Sequence, residues 1–357
     1  MVRMTGSSHP AKPVSMSMPR MTIDTLALAG NWRTLAAASG PATCGAAIKA
    51  DGYGLGAKGV LEVLVKAGCR EFFVASWAEA EALGPLPPHV RLAVLHGVTA
   101  ADMPLALALG PAVVPVLGTP AQVSLWRSTG RAADLMVDTG MNRLGLDMAD
   151  VQAGLAATLQ VDTLHSHLAC ADMPDHALNS LQLARFRAVC AQVPARRRAL
   201  ANSAGLLLGV DWHFDLTRPG LGLYGGMGGT AGTRPVLRLE APVLQLRDVP
   251  AGASIGYGAS FVSPDSLRVA TVALGYADGY PRALQGWGQA EVHGHRCPLV
   301  GRVSMDLITL DVSAVPGLRE GELVTLDFDL VAAARASGRS EYELLTGLGA
   351  RYARIWS

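Results

Sequence analysis

The stretch Ala47-Ile48-Lys49-Ala50-Asp51-Gly52-Tyr53-Gly54-Leu55-Gly56 sets one lysine at the end of a short apolar run. Three glycines, an aspartate and a tyrosine follow it at once. The run Ala46-Ala47-Ile48 reads as the end of a buried strand. Lysine is seldom buried without a partner, so one delivered where a strand meets a glycine-rich loop calls for a chemical task. An amine held there can form a Schiff base with an aldehyde, either a substrate's or that of pyridoxal phosphate. The segment reads equally as an exposed lysine in a polar loop, and the rest of the chain has to decide.

Other residues able to do chemistry fall in clusters downstream: Asp138-Thr139-Gly140-Met141-Asn142-Arg143, His165 with His167, Asn202-Ser203, and Arg218-Pro219-Gly220-Leu221. The elements that carry them alternate. From about residue 25 to 225, short β-rich runs (44–49, 71–75, 92–96, 112–117, 134–137, 163–169, 199–202 and 216–223) take turns with segments of helical period such as 60–67, 78–83 and 181–193. Eight such units predict a (β/α)₈ TIM barrel rather than an open sheet. Lys49, the Asp138–Arg143 cluster, the two histidines and Asn202-Ser203 then sit toward the C-terminal ends of strands 1, 5, 6 and 7, and Arg218-Pro219-Gly220-Leu221 opens strand 8. Barrel active sites occupy that face, often with a phosphate held after strands 7 and 8. Ser203 and Gly220 are placed to offer it a hydroxyl and an N–H. Taken singly, Ser203 could be a helix N-cap and Gly220 a tight turn.

Beyond about residue 236 strand-like runs (243–246, 268–274, 289–292, 297–303, 308–312, 323–326) are separated by Gly, Pro and Asp turns, and helix is scarce before 341–348. The expected organisation is a leader over 1–20, a barrel over 21–235 and a mainly β C-terminal domain over 236–357. The leader is rich in Met, Ser and Pro and lacks a signal peptide's apolar region, so it reads as disordered, with Met18 or Met21 as a candidate start. A net charge of +1 provides no electrostatic attraction for nucleic acid or an acidic membrane. No apolar run reaches the roughly 20 residues that cross a bilayer. Five cysteines, odd in number and without a CxxC pair, suit reduced thiols in the cytoplasm.

Ala47–Gly54, Val137-Asp138-Thr139-Gly140-Met141-Asn142-Arg143-Leu144-Gly145, Ala201-Asn202-Ser203, Arg218-Pro219-Gly220, Gly275-Tyr276-Ala277-Asp278-Gly279-Tyr280 and Gly301-Arg302-Val303-Ser304-Met305-Asp306 together resemble the signatures of alanine racemase. They occur in order from about residue 22 to the C-terminus. The resemblance implies a homodimeric pyridoxal phosphate enzyme with shared active sites that interconverts L- and D-alanine and supplies D-alanine for peptidoglycan. It makes Lys49 the Schiff-base lysine and one of two acid/base groups. Tyr276 is the other, on the opposite face, backed by His167 and Arg218. Tyr53, Asn202, Ser203 and the backbone at Gly220 and Leu221 would hold the cofactor phosphate, and Arg143 and Met305 would position the substrate. Arg218 would face the pyridine nitrogen. A guanidinium only donates, so that nitrogen must accept. The weakened electron sink favours return of the proton to Cα.

Two positions depart from the family. Where many members carry a carbamylated lysine, this chain has Met136, and Arg143 needs another anion. Ala350 stands where some members place a phosphate-binding tyrosine, which implies a roomier pocket. The spacings His293-x-His295-x-Cys297 and His165-x-His167-x-x-Cys170 resemble metal sites. Gly294 reads as a hairpin turn, and His165 as a barrel-interior residue, so no metal is expected. A non-catalytic cofactor carrier would lack the β domain. A barrel-type decarboxylase would carry a catalytic cysteine and a phosphate loop elsewhere. A racemase for serine or a broader range of amino acids is the alternative within the family.

Overall fold

A computed structural model describes residues 18–229 and 232–357. The expected leader lies outside the described residues as far as residue 17, and Arg20 already begins the strand Arg20–Ile23. Two compact units divide the chain. One comprises Ile23–Leu237, Asp329–Leu348 and Trp356–Ser357; the other comprises the N-terminal segment to Thr22, Arg238–Phe328 and Gly349–Ile355.

In the first unit, apolar runs too short for helices form a parallel ladder. In order these are Ala46–Ala47, Glu71–Val74, Arg91–Val94, Val113–Leu117, Ala133–Met136, Val161–His165 and Arg197–Ala199. Leu216–Thr217 pairs in parallel with Thr43–Cys44. The Asp215 N–H donates to the Arg198 carbonyl at 3.0 Å. The eighth strand is thereby tied to both neighbours, and the ring expected from the sequence closes. Helices such as Ala57–Ala67, which buries Val60, Leu61 and Leu64, cover the outside.

Strand eight is shorter than expected, and Leu221–Tyr224 forms a 3₁₀ turn instead. Pro219 has no N–H for a ladder, and Gly220 turns the chain aside with φ −127° and ψ −86°. Arg218 therefore follows the strand rather than opening it. Helix also begins earlier than expected, at Leu330–Ser337, where the Asp329 carboxylate accepts the Ala332 N–H at 2.8 Å.

At the N-terminal end of the barrel a charged network absent from the sequence reading fills the interior. Arg91 pairs with Asp134, Glu71 (3.3 Å) and Asp162 (3.2 Å). Arg197 pairs with Glu71 and Asp162, both at 2.8 Å. Asp134 and His165, fully buried, meet at 3.0 Å, so His165 is an interior residue as expected.

The second unit is built on the long strand Leu237–Val249, antiparallel to Leu267–Val272 and Leu323–Leu326. Gln289–Val292 and His295–Pro298 form a hairpin. Its turn is His293-Gly294, with φ of 49° and 81°, the doubly left-handed form that suits strand twist. As expected, Gly294 separates the two histidines. His293 itself lies in the turn and contacts Glu322 at 2.8 Å.

Candidate active site

The C-terminal strand ends of the barrel unit surround a cavity of about 620 Å³ lined by Lys49, Tyr53, Met136, Arg143, His167, Asn202, Ser203, Arg218, Gly220 and Leu221, among others. Barrel closure thus gathers all the candidates that lie in this unit. Tyr276 and Met305 belong to the β unit.

Lys49 enters at the head of an unusual turn. Ala50, Asp51, Gly52 and Tyr53 have φ of 53°, 52°, 64° and 56°, a left-handed helical turn. Such a conformation costs about 1–2 kcal/mol per non-glycine residue. Hydrogen bonds offset it: Gly52 N–H to Ile48 O (2.8 Å), Gly56 N–H to Asp51 O (2.8 Å), Ala57 N–H to Asp51 Oδ1 (2.8 Å) and Ala50 N–H to Glu79 Oε1 (2.7 Å). Gly54 closes the turn where no side chain fits, since a β-carbon would stand 2.3 Å from the Leu345 carbonyl oxygen. Tyr53 ends stacked on Tyr224, with ring centroids 4.6 Å apart.

The cavity is electropositive. Burial lowers the pKa of Lys49, Arg143 and Arg218 lower it further, and Glu79 opposes them. More of its amine is therefore neutral near pH 7 than in free lysine. Burial, aided by Arg218 and Arg143, brings His167 down to about 3, so its ring is neutral. Burial lowers Arg218 to about 10, still a cation at neutral pH. Its Nη2 donates to the carbonyls of Ser166 (2.7 Å) and Leu200 (3.4 Å), not to His167. Its Nη1 is buried and has no hydrogen-bond partner among the described residues.

Ser203 does not cap a helix. Its neighbour Asn202 bonds locally, its Oδ1 accepting the Gly205 N–H at 2.8 Å. Ser203 Oγ instead accepts the N–H groups of Gly220 (2.8 Å) and Gly222 (3.2 Å). One hydroxyl and two N–H donors thus converge, a cradle that a phosphate oxygen can join. Gly222 was not among the expected residues; it is one more glycine in a glycine-rich segment, without a mark of its own. Together these groups fit pyridoxal phosphate: an amine for its aldehyde, a donor cradle for its phosphate, and an unpaired donor on Arg218 for an accepting ring nitrogen.

The Asp138 carboxylate accepts the N–H groups of Gly140 (2.7 Å), Met141 (2.9 Å) and Arg143 (3.0 Å), which shapes the loop bearing Arg143. The Arg143 side chain is exposed, and no carboxylate among the described residues forms an ion pair with it. Gln182, fully buried on the helix Ala177–Cys190, supports the next loop. Its Nε2 donates to the His167 carbonyl and its Oε1 accepts the Ala169 N–H, both at 2.9 Å.

Tyr342 is the cavity residue that sequence reasoning missed. It lines the wall from the helix Glu341–Thr346, its ring centroid 6.1 Å from that of Tyr53. This corrects the expectation built on Ala350: Tyr342 brings the additional phenol. An isolated tyrosine in a well-capped helix carries no sequence mark of a site.

In the β unit Tyr276 begins the 3₁₀ turn Tyr276–Asp278. Its N–H donates to the Ser304 carbonyl (3.0 Å), and the Ala277 N–H donates to that of Met305 (2.9 Å). Asp278 accepts the Gly275 N–H (2.8 Å) and the Arg351 Nε–H (2.7 Å). A β-carbon on Gly275 would lie 2.3 Å from the Met305 carbonyl oxygen. The turn thus holds two candidates side by side, with Tyr276 44% and Met305 54% exposed.

Comparison with known proteins gives a consistent answer. The chain matches the family model for the alanine racemase N-terminal domain over residues 23–228 and that for the C-terminal domain over 236–356. It is 44% identical to an alanine racemase of Rhodospirillum rubrum, the match covering 94% of each chain. It is 43% identical to a catabolic alanine racemase of Agrobacterium fabrum, over 94% of this chain and 91% of the relative. Among solved structures it is similar to alanine racemase from Bartonella henselae with covalently bound pyridoxal phosphate. That match has a TM-score of 0.86 at 36% identity and covers 95% of this chain and 99% of the other.

Proposed function

The chain belongs to the alanine racemase family, and we propose that it racemises alanine with Lys49 and Tyr276 as acid/base groups on opposite faces of the substrate. It is an amino-acid racemase that interconverts L- and D-alanine and uses pyridoxal phosphate. The observation that carries the assignment of Lys49 is its place in the cavity, presented by a left-handed turn with its amine shifted toward the neutral form.

Pyridoxal phosphate supplies the electron sink that lets the α-proton of the amino acid leave. Lys49 would hold the cofactor through its aldehyde and would take or return that proton on its own face. Tyr53, Ser203 and the N–H groups of Gly220, Leu221 and Gly222 would hold its phosphate, with Asn202 shaping their loop. Arg218, through its unpartnered Nη1, would offer a donor to the ring nitrogen and so favour its unprotonated form, while His167 stays neutral. Arg143 takes the substrate carboxylate as a bidentate fork, and Met305, like Tyr276 supplied by a second copy of the chain, helps to position it. Tyr276 exchanges the proton on the other face, supplied by a second copy of the chain in a homodimer. Its support is the exposed, rigidly bonded turn that carries it.

No described helix is long and apolar enough to cross a membrane. Unpaired cysteines support a cytoplasmic setting, where the enzyme would supply D-alanine for peptidoglycan. Purified protein offered a panel of L-amino acids should yield D-alanine fastest and restore growth to a D-alanine auxotroph. Absence of D-alanine formation would overturn the reading. Borohydride reduction with peptide mapping should label Lys49; a label on Lys58 or Lys66 would overturn its assignment.

A further inference from the structure

The carboxylate of Glu79 joins two loops of the barrel unit. At the start of its own helix, Trp77–Leu83, Oε2 accepts the N–H groups of Ala75 (2.6 Å) and Ser76 (3.4 Å), and Ser76 Oγ accepts the Glu79 N–H (3.3 Å). That is a reciprocal cap. The other oxygen, Oε1, leaves the helix and accepts the Ala50 N–H at 2.7 Å. Ala50 is the first left-handed residue after Lys49, with φ 53° and ψ 49°. The bond therefore grips the chain where it turns behind the lysine. A helix cap requires neither this second oxygen nor the charge, because glutamine serves the same reciprocal pattern.

We propose that Glu79 is a positioning residue for Lys49, fixing through Oε1 the left-handed turn that presents the amine to the cavity. The inference rests on the assignment of Lys49 as the cofactor-bearing lysine. The surroundings give the carboxylate a second effect. Arg143 from the loop after strand five, His167 after strand six and Arg218 after strand eight bring positive or neutral groups toward the amine. Glu79 provides the opposing negative charge. Without it the ammonium form of Lys49 has only cations for charged neighbours among these groups, and loses its proton more readily.

Competitive acetylation of the full-length chain freed of cofactor reads the Lys49 amine directly, with exposed Lys58 as the internal reference. In Glu79→Gln the Lys49 reactivity profile should move to lower pH by about half a unit or more. In the loaded enzyme kcat should fall about 10- to 100-fold with KM nearly unchanged, the signature of a misplaced reacting group. Glu79→Ala should exceed both effects. Ser76→Ala breaks the reciprocal cap while leaving the Ala50 bond. It should cost a few degrees of Tm and leave the Lys49 profile in place. Superposition of the Glu79→Gln profile on that of the wild type would overturn the proposal, as would an equal shift in Ser76→Ala. If Glu79→Ala does not fold, Glu79→Gln decides alone. The borohydride label on the wild-type holoenzyme tests the Lys49 assignment separately, so the two failures are distinguishable.

Discussion

Gly220 and the hydroxyl of Tyr53 are packed so tightly that a β-carbon on Gly220 would stand 2.2 Å from that oxygen. Tyr53 can yield only at a cost, because it is 5% exposed and stacked on Tyr224 at 4.6 Å. Gly220→Ala should therefore push the phenol away from the phosphate cradle, an overpacking cost of about 1–3 kcal/mol. Cofactor affinity should fall about 10- to 100-fold, measured by absorbance titration of the cofactor-free protein. An unchanged Kd would show that Tyr53 does not hold the phosphate.

The proposed sharing of active sites between two copies makes a sharp prediction for Tyr276. Lys49→Ala and Tyr276→Ala chains should each be inactive as homodimers. Mixed, they should recover activity, because one site of each hybrid regains Lys49 from one subunit and Tyr276 from the other. Exchange of subunits, shown by a mass tag, without recovery would mean that Tyr276 serves its own chain or has no catalytic part.

Arg143 meets no carboxylate among the described residues, and Met136, 8% exposed in the same lining, cannot be carbamylated. The substrate carboxylate would occupy one edge of the guanidinium, so a second anion is needed on its other edge to hold the fork in place. We expect chloride to serve. Racemisation in chloride-free buffer should be several-fold slower and recover on adding chloride. Met136→Lys should weaken the response. Equal rates with and without chloride would remove the idea.

The barrel interior predicts a pH dependence of stability. Burial brings His165 from 6.5 to about 4, against the pull of Asp134. Its native pKa is thus below the unfolded value. Between about pH 6.5 and 4 the unfolded chain takes a proton that native His165 refuses, so stability falls as pH falls across that window. The contribution is on the order of 3 kcal/mol. His167, shifted the same way to about 3, adds to the slope. In His165→Gln, which keeps an N–H donor for Asp134, urea midpoints from about pH 7 to 4 should fall less steeply by about one proton. Parallel slopes in the two proteins would show that His165 titrates normally.

Much of the architecture was legible from local pattern. Short apolar runs alternating with helical segments foretold the barrel, because strand and helix periods are written in neighbouring residues. Lys49, Ser203 and Arg218 stood out because a polar residue at a strand end breaks that pattern. Three features were decided only by the tertiary structure: the choice of Tyr342 over Ala350 for the wall, the bond from Glu79 to Ala50, and the ion-pair network on Arg91. Each joins residues on different elements, and each depends on how the ring of strands closes. Sequence spacing along one element records periodicity. Distances between elements arise only when the chain packs, which brings Ser203 to the N–H groups of Gly220 and Gly222 and sets Glu79 against the turn behind Lys49.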